Sequence, residues 1–268
     1  MQIRINEQKH TVTDGLSMGE LASSHKPGAD VLILNGFPVP AETEIHAGDE
    51  VFLILRGEIP TEAELESLMA ARHTPGVHRR LKAATIGIAG AGGLGSAVAV
   101  ALARVGVGRL VIADFDVVEP SNLNRQQYFI DQIGLPKVEA LAANLQRINP
   151  YVTVAPHPVR LDPANIPVIF DGCSIVVEAF DRADMKAMLV DTVLAHMPGV
   201  TTVAASGLAG YGPNNAISTR KITSRLYLSG DGTSEAQPGS GLMAPRVAIA
   251  AGHQANLVVR LILGEDSP

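Results

Sequence analysis

The 268-residue sequence holds a single cysteine, Cys173. One thiol cannot close an intramolecular disulfide, and it cannot supply the paired CxxC ligands of a Cys-based zinc site. Basic charge is also short, with 21 Lys and Arg against 27 Asp and Glu, a net charge of −6 and a pI near 5.7. Phosphate backbones select basic faces, so nucleic acid is not expected as the main partner. The opening MQIRINEQ lacks the charged-then-apolar pattern of a secretory leader. An uncharged run of 21 residues covers 83–103, but its five glycines and strand–turn–helix pattern argue against a membrane span. No internal repeat or low-complexity tract stands out. What remains is a 46% apolar composition, ample for one large domain plus a small one in a soluble, cytoplasmic protein.

The most informative stretch runs from 85 to 137. An apolar run at 85–89, short enough for a strand, leads into a glycine-rich turn with Gly90, Gly92, Gly93 and Gly95. Gly90, Gly92 and Gly95 fall at GxGxxG spacing, where missing side chains let backbone approach a phosphate or ribose. A helical pattern at 96–105 points its amino end at such an anion. A second strand, 109–113, ends at Asp114, 19 residues after Gly95, where a carboxylate can accept bonds from ribose hydroxyls. This much is common to dinucleotide-binding units; the alternative is tight strand–helix packing with no ligand.

The next residues discriminate. SNLNRQ at 121–126 is followed by Lys137, 11 residues on, which opens a helical pattern over 138–148. Ser121 is a candidate cap for a short helix or turn. Asn122 and Arg125, three apart, suit phosphate oxygens, and Lys137 supplies a point charge for the outer ones. A further apolar run, 174–180, reads as a buried parallel strand ending at Asp181. Asp181 then stands at the carboxyl end of a strand, where open α/β sheets bind ligands, or caps the helix expected at 182–194, or does both.

These residues (GAGGLG at 90–95, DFD at 114–116, SNLNRQ, Lys137 and Asp181 in EAFD) together resemble the ThiF/MoeB/HesA superfamily of ATP-dependent activating enzymes. ASGLAGYG at 205–212 and GLMAPRVAIAAGHQAN at 241–256 extend the resemblance to its short ThiF subtype, over about 62–265. The resemblance implies an α/β fold, a Rossmann-like domain with a mostly parallel sheet. It implies that the glycines, Asp114 and Asp116 bind the nucleoside of ATP. Asn122, Arg125 and Lys137 would hold phosphates, and Asp181 would hold Mg²⁺. It also implies a homodimer in which an arginine ahead of the nucleotide domain reaches the partner's phosphates, Arg72 being the candidate and Arg79 and Arg80 competitors.

Residues 1–57 are a separate object. MQIRIN alternates apolar and polar, VLILNGFPV carries an Asn-Gly turn at 35–36, and 17–24 has helical spacing. Strands, a helix and more strands in so short a span suggest a β-grasp module resembling the ThiS sulfur carrier. The carrier's free Gly-Gly tail is missing, because the chain runs on as LRGEIPTEAELE, so a docking or regulatory role is expected. A helical linker follows over 58–81, with Thr61 and Glu64 as a capping box and a break at 74–76, and the adenylating domain is expected over 82–268. Cys173 is expected as a small buried hydrophobe, His253 as a core or interface residue, and 205–244 as a long glycine-rich loop closing over a carrier tail. The resulting expectation is adenylylation of the C-terminal glycine of a ThiS-like carrier, with sulfur supplied by a separate donor. Another carboxylate, a NAD-dependent oxidoreductase or a non-catalytic carrier scaffold are the alternatives.

Overall fold

The computed structural model describes all 268 residues apart from the Pro75 side chain. The chain forms two compact units, Met1–His78 and Arg79–Pro268.

The first unit opens with a five-stranded sheet and one helix packed on it. β1 (Gln2–Ile5) and β2 (Gln8–Thr11) form a hairpin, α1 (Met18–His25) crosses over, and β3 (Val31–Leu34), β4 (Phe37–Pro38) and β5 (Glu50–Ile54) follow. The order is β2-β1-β5-β3-β4, with β1 and β5 parallel and the other pairs antiparallel. Period-two alternation buries Ile3, Ile5, Val51 and Leu53 against Met18 and Leu21 of α1. Ser17 and Glu20 close a reciprocal capping box on α1. Asn35 and Gly36 both take positive φ, 50° and 86°, and turn β3 into β4. Two further helices follow, α2 (Glu62–His73), with its Thr61 and Glu64 box, and α3 (Pro75–Lys82). The expected break occurs at Thr74, but Pro75 opens a new helix that takes in Gly76.

The second unit builds a seven-stranded sheet. Its elements are β6 (Thr85–Ala89), α4 (Gly93–Arg104), β7 (Arg109–Ala113), α5 (Lys137–Ile148), β8 (Thr153–His157), α6 (Ile166–Ile169), β9 (Ile175–Glu178), α7 (Ala183–His196), β10 (Thr201–Ala205), β11 (Ser218–Thr223), β12 (Leu226–Gly230) and α8 (Ala244–Ile262). The order is β11-β12-β10-β9-β6-β7-β8, parallel throughout except for β11. Successive residues Ile86, Ile88, Ile112 and Ala89, Val111, Ala113 are all buried, so both sheet faces are covered, as parallel sheets require. The strand order reverses between β6 and β9. That places a topological switch point, where open α/β sheets bind ligands, beside the turns that follow these two strands.

The stretch 205–244 departs from the long loop expected of it, because the hairpin of β11 and β12 lies inside. β11 is an edge strand with mostly exposed side chains, STRKIT, so it has no apolar alternation to announce it. Cys173 is 5% exposed within the apolar cluster of Phe170, Val176 and Leu189.

Candidate functional site

The glycine turn is held by close approach of backbone. Gly90 has φ +100°, and a methyl placed on it would come within 2.8 Å of the Ala179 carbonyl; one on Gly95 would run into the Gly90 carbonyl. Only glycine therefore lets α4 start this close to β6 and lets the segment after β9 lie against the turn. α4 begins without a side-chain cap on Gly92, so its first amides face outward unbonded by any capping side chain. Asp114 spans the opening: Oδ2 accepts from Ala91 N at 2.6 Å and Oδ1 from Asp116 N at 2.8 Å. Burial pushes its carboxyl above the usual range, opposed by those two amides and by Lys137.

A single loop brings the charged groups to this turn. Lys137, 6% exposed, donates from Nζ to Asp116 Oδ2 at 2.8 Å, and its backbone N–H bonds the Asp116 carbonyl at 2.9 Å. Arg125 lies over the start of α4, where a methyl on Gly93 would sit 3.5 Å from its Cγ. Its guanidinium donates to Ser121 O at 3.2 Å and Asn124 Oδ1 at 2.8 Å. Asn122 is buried, and its Oδ1 accepts from Glu119 N at 3.1 Å. Glu119, rather than Ser121, occupies the N-cap position of the short 3-10 turn at Pro120–Asn122, because Asn122 reaches back to its amide.

Sequence reasoning missed the groups that brace this loop. Tyr128 Oη donates to the Ala91 carbonyl at 2.6 Å; burial, with Asp114 and Asp116 nearby, raises its hydroxyl pKa. Ser96 Oγ donates to Gly92 O at 2.6 Å and accepts from Gln127 N at 3.1 Å. Ser96 shows in the sequence only as one polar residue inside the apolar helix α4, and Tyr128 only as one aromatic in a loop, so spacing marks neither as a brace.

Asp181 follows β9, whose neighbours Ala179 and Phe180 lie against Gly90. It is exposed, and no hydrogen bond or ion pair engages it among the described residues. The helix-cap alternative does not hold: Arg182 takes the N-cap of α7, with no side-chain cap bond. No cluster of three His, Cys, Asp or Glu residues suited to a metal occurs among the described residues. One free carboxylate in the segment that lies against the glycine turn still fits Mg²⁺, which takes one or two carboxylates and completes its shell with water and ligand oxygens. Glu178, fully buried, pairs with Lys186 at 2.9 Å. Burial pushes its carboxyl up, against the pull of Lys186. Asp231 and Arg246 pair at 2.6 Å, and Arg246 also bonds the carbonyls of Gly212 and Pro213. Partial burial works to raise the Asp231 carboxyl, but bonds from Ser234, Thr233 and Arg246 hold it well below the usual carboxylate range. Arg72 lies in the first unit on α2, 77% exposed and 3.8 Å from Glu7. His253 bonds Thr219 of β11 through Nδ1 at 3.0 Å.

Among the described residues, no helix is long and apolar enough to cross a membrane. Known proteins share parts of both units. The ThiS-like ubiquitin model matches residues 1–57 and the ThiF family model residues 66–268. The adenylyltransferase and sulfurtransferase UBA4 of Yarrowia lipolytica is 37% identical over 128 residues, 48% of this chain and 32% of that protein. The SAMP-activating enzyme E1 of Haloferax volcanii is 42% identical over 113 residues, 42% of each. The chain thus matches less than half the length of these two relatives. The molybdopterin-synthase adenylyltransferase of Salmonella typhimurium is 31% identical over 195 residues, 70% of this chain and 76% of that one. A crystal structure of E. coli tRNA N6-threonylcarbamoyladenosine dehydratase with ATP shares the fold at a TM-score of 0.68 and 22% identity, covering 78% of this chain and 98% of that one. The parallel sheet, the glycine turn at its switch point and a family match running from residue 66 to 268 make this chain a member of the ThiF family, preceded by a ThiS-like ubiquitin domain.

Proposed function

We propose that the chain transfers the adenylyl group of ATP to the C-terminal glycine carboxylate of a ThiS-like sulfur carrier, in the cytoplasm and on the route to the thiazole of thiamine. A carboxylate oxygen forms the new bond to the α-phosphorus, and the bond to the β-phosphate oxygen breaks, releasing pyrophosphate. The nucleophile is already ionised at neutral pH, so the protein's task is alignment and charge neutralisation. The observation that carries the reading is the loop 114–137, which holds Asp114, Arg125 and Lys137 around one glycine turn. Asp114 has lone pairs left for ribose hydroxyls beyond its two amide bonds. Gly90, Gly92, Gly93 and Gly95 admit the nucleotide to the backbone. Lys137 and Arg125 meet phosphates, with Asp116 orienting Lys137 and the amide hydrogens of Asn122 assisting. Asp181 would hold Mg²⁺ with the phosphates, and the ion would supply further neutralisation there.

The same reading assigns 1–57 as a carrier-like docking module, 58–81 as the helical linker and 82–268 as the adenylating domain. The protein acts as a homodimer in which Arg72 serves the partner's phosphates. The glycine-rich segments at 205–212 and 230–241 receive the carrier's extended Gly-Gly tail. Burial pushes the Cys173 thiol up to about 11, which fits a separate sulfur donor. A second reading keeps the chemistry and changes the carboxylate, in line with a neighbour of the same fold whose name places it in tRNA modification.

The test is exchange of labelled pyrophosphate into ATP with and without a ThiS carrier ending in Gly-Gly. Exchange should require the carrier's free carboxylate, and Arg125→Ala should lower it by about 100-fold or more. ATP binding with no exchange would point to the other carboxylate or to a scaffold.

A further inference from the structure

Glu178 is the last residue of β9, and its carboxylate joins four segments. Oε1 accepts from Phe180 N at 2.7 Å and Lys186 Nζ at 2.9 Å; Oε2 accepts from Lys186 Nζ at 3.0 Å and Ala205 N at 3.3 Å. The Lys186 ammonium turns to the Ala205 carbonyl at 3.1 Å as well. Gln254 of α8 donates to the Glu178 carbonyl at 3.0 Å and to Val203 O at 3.2 Å, tying the same strand ends together from another side. Glu178 is fully buried, while the Lys186 side chain is 23% exposed.

A buried ion pair is a poor device for stability, since two apolar residues of similar volume would pack as well without desolvating charge. What an apolar pair would not do is direct backbone. This carboxylate fixes the amide one residue before Asp181, and with its lysine it fixes both backbone groups of Ala205, where the glycine-rich segment 206–212 begins. Among the described residues, neither Glu178 nor Lys186 bonds the glycine turn, Asp114, Arg125 or Lys137.

We infer that Glu178 and Lys186 are a positioning pair for the transfer step: they hold the Asp181 segment and the acceptor-facing segment after Ala205 in one fixed relation, so that the attacking carboxylate meets the bound nucleotide in line. The inference rests on the adenylylation reading. It separates two jobs within the site: the glycine turn and its loop bind ATP, and the pair aligns the acceptor. Misplacement of a reacting group by about 1 Å costs on the order of 100-fold in rate.

The experiment compares the full-length protein with Lys186→Met, Lys186→Arg and the neutral double variant Glu178→Gln with Lys186→Met. ATP affinity is measured by calorimetry without carrier, thermal midpoint by scanning calorimetry, and pyrophosphate exchange at saturating ATP with a Gly-Gly carrier. Lys186→Met should lower the maximal exchange rate by about 100-fold while ATP affinity stays within about threefold. Lys186→Arg should recover most of the rate, because a guanidinium still donates twice to the carboxylate. The double variant avoids stranding a buried charge, so it reports if Lys186→Met fails to fold; it should bind ATP and remain slow. A folded double variant or Lys186→Met protein with the unsubstituted rate, or parallel loss of ATP affinity and rate, would overturn the pair's role. No exchange by the unsubstituted protein would sink the adenylylation reading, and the pair's role with it.

Discussion

At the scale of single residues, the site depends on atoms that are absent. Gly95 has no room for a methyl against the Gly90 carbonyl, so Gly95→Ala must push α4 away from β6. The expected cost is about 3 kcal/mol, seen as a lower thermal midpoint, with ATP binding lost alongside it. Cys173 titrates in the opposite direction from a reactive thiol. Burial raises it from 9.0 to about 11, with Arg109 pulling weakly the other way. A group whose folded pKa is raised contributes stability that is complete below the unfolded value and lost as pH rises through the folded one. Denaturant midpoints should therefore fall between pH 9 and 11, and Cys173→Ala should flatten that fall.

At the scale of elements, the loops around the site are fastened by charge. Arg246, at the start of α8, holds Asp231 after β12 and the carbonyls of Gly212 and Pro213, and the Arg246 and Asp231 side chains are only 6% and 11% exposed. Removing one partner of such a pair strands the other, so Arg246→Met should cost about 3 kcal/mol. Faster amide exchange should appear first in 206–213 and 230–234; uniform acceleration across the unit would contradict the clamp. How much of this was legible in the sequence follows from how local each signal is. The strand at 85–89, the helix opened by Lys137, the Asn35-Gly36 turn and the Thr61 and Glu64 cap are each specified within a few residues, and the structure has all of them. β11 stayed hidden because an edge strand need not alternate. The site divides along the same line. The glycine turn and SNLNRQ were visible as motifs, whereas the bond from Ala91 to Asp114, the Tyr128 brace and the Lys186 partner of Glu178 depend on segments that meet only after folding.

At the scale of the whole molecule, each unit carries its own core, one around Ile3, Met18 and Leu53, the other including Phe170, Val176 and Leu189. Deleting 1–57 should therefore leave ATP affinity and the main thermal transition of the remainder in place. Carrier-dependent exchange or assembly should change, and if both are unaltered the docking role of the first unit fails. The two sheets also differ in how far along the chain their partners lie. The parallel pair that closes the small sheet joins Ile5 to Val51, whereas the central pair of the large sheet joins Ile86 to Ile175 and waits further for β10. Contacts between distant segments form late and slowly. During synthesis, the carrier-like unit has all its strands once Ile54 clears the ribosome, well before the strand bearing Glu178 exists. A truncated message or a stalled ribosome would thus release a finished small fold joined to an unfinished large one, and the exposed strands of β6 and β7 are where chaperones should be needed most.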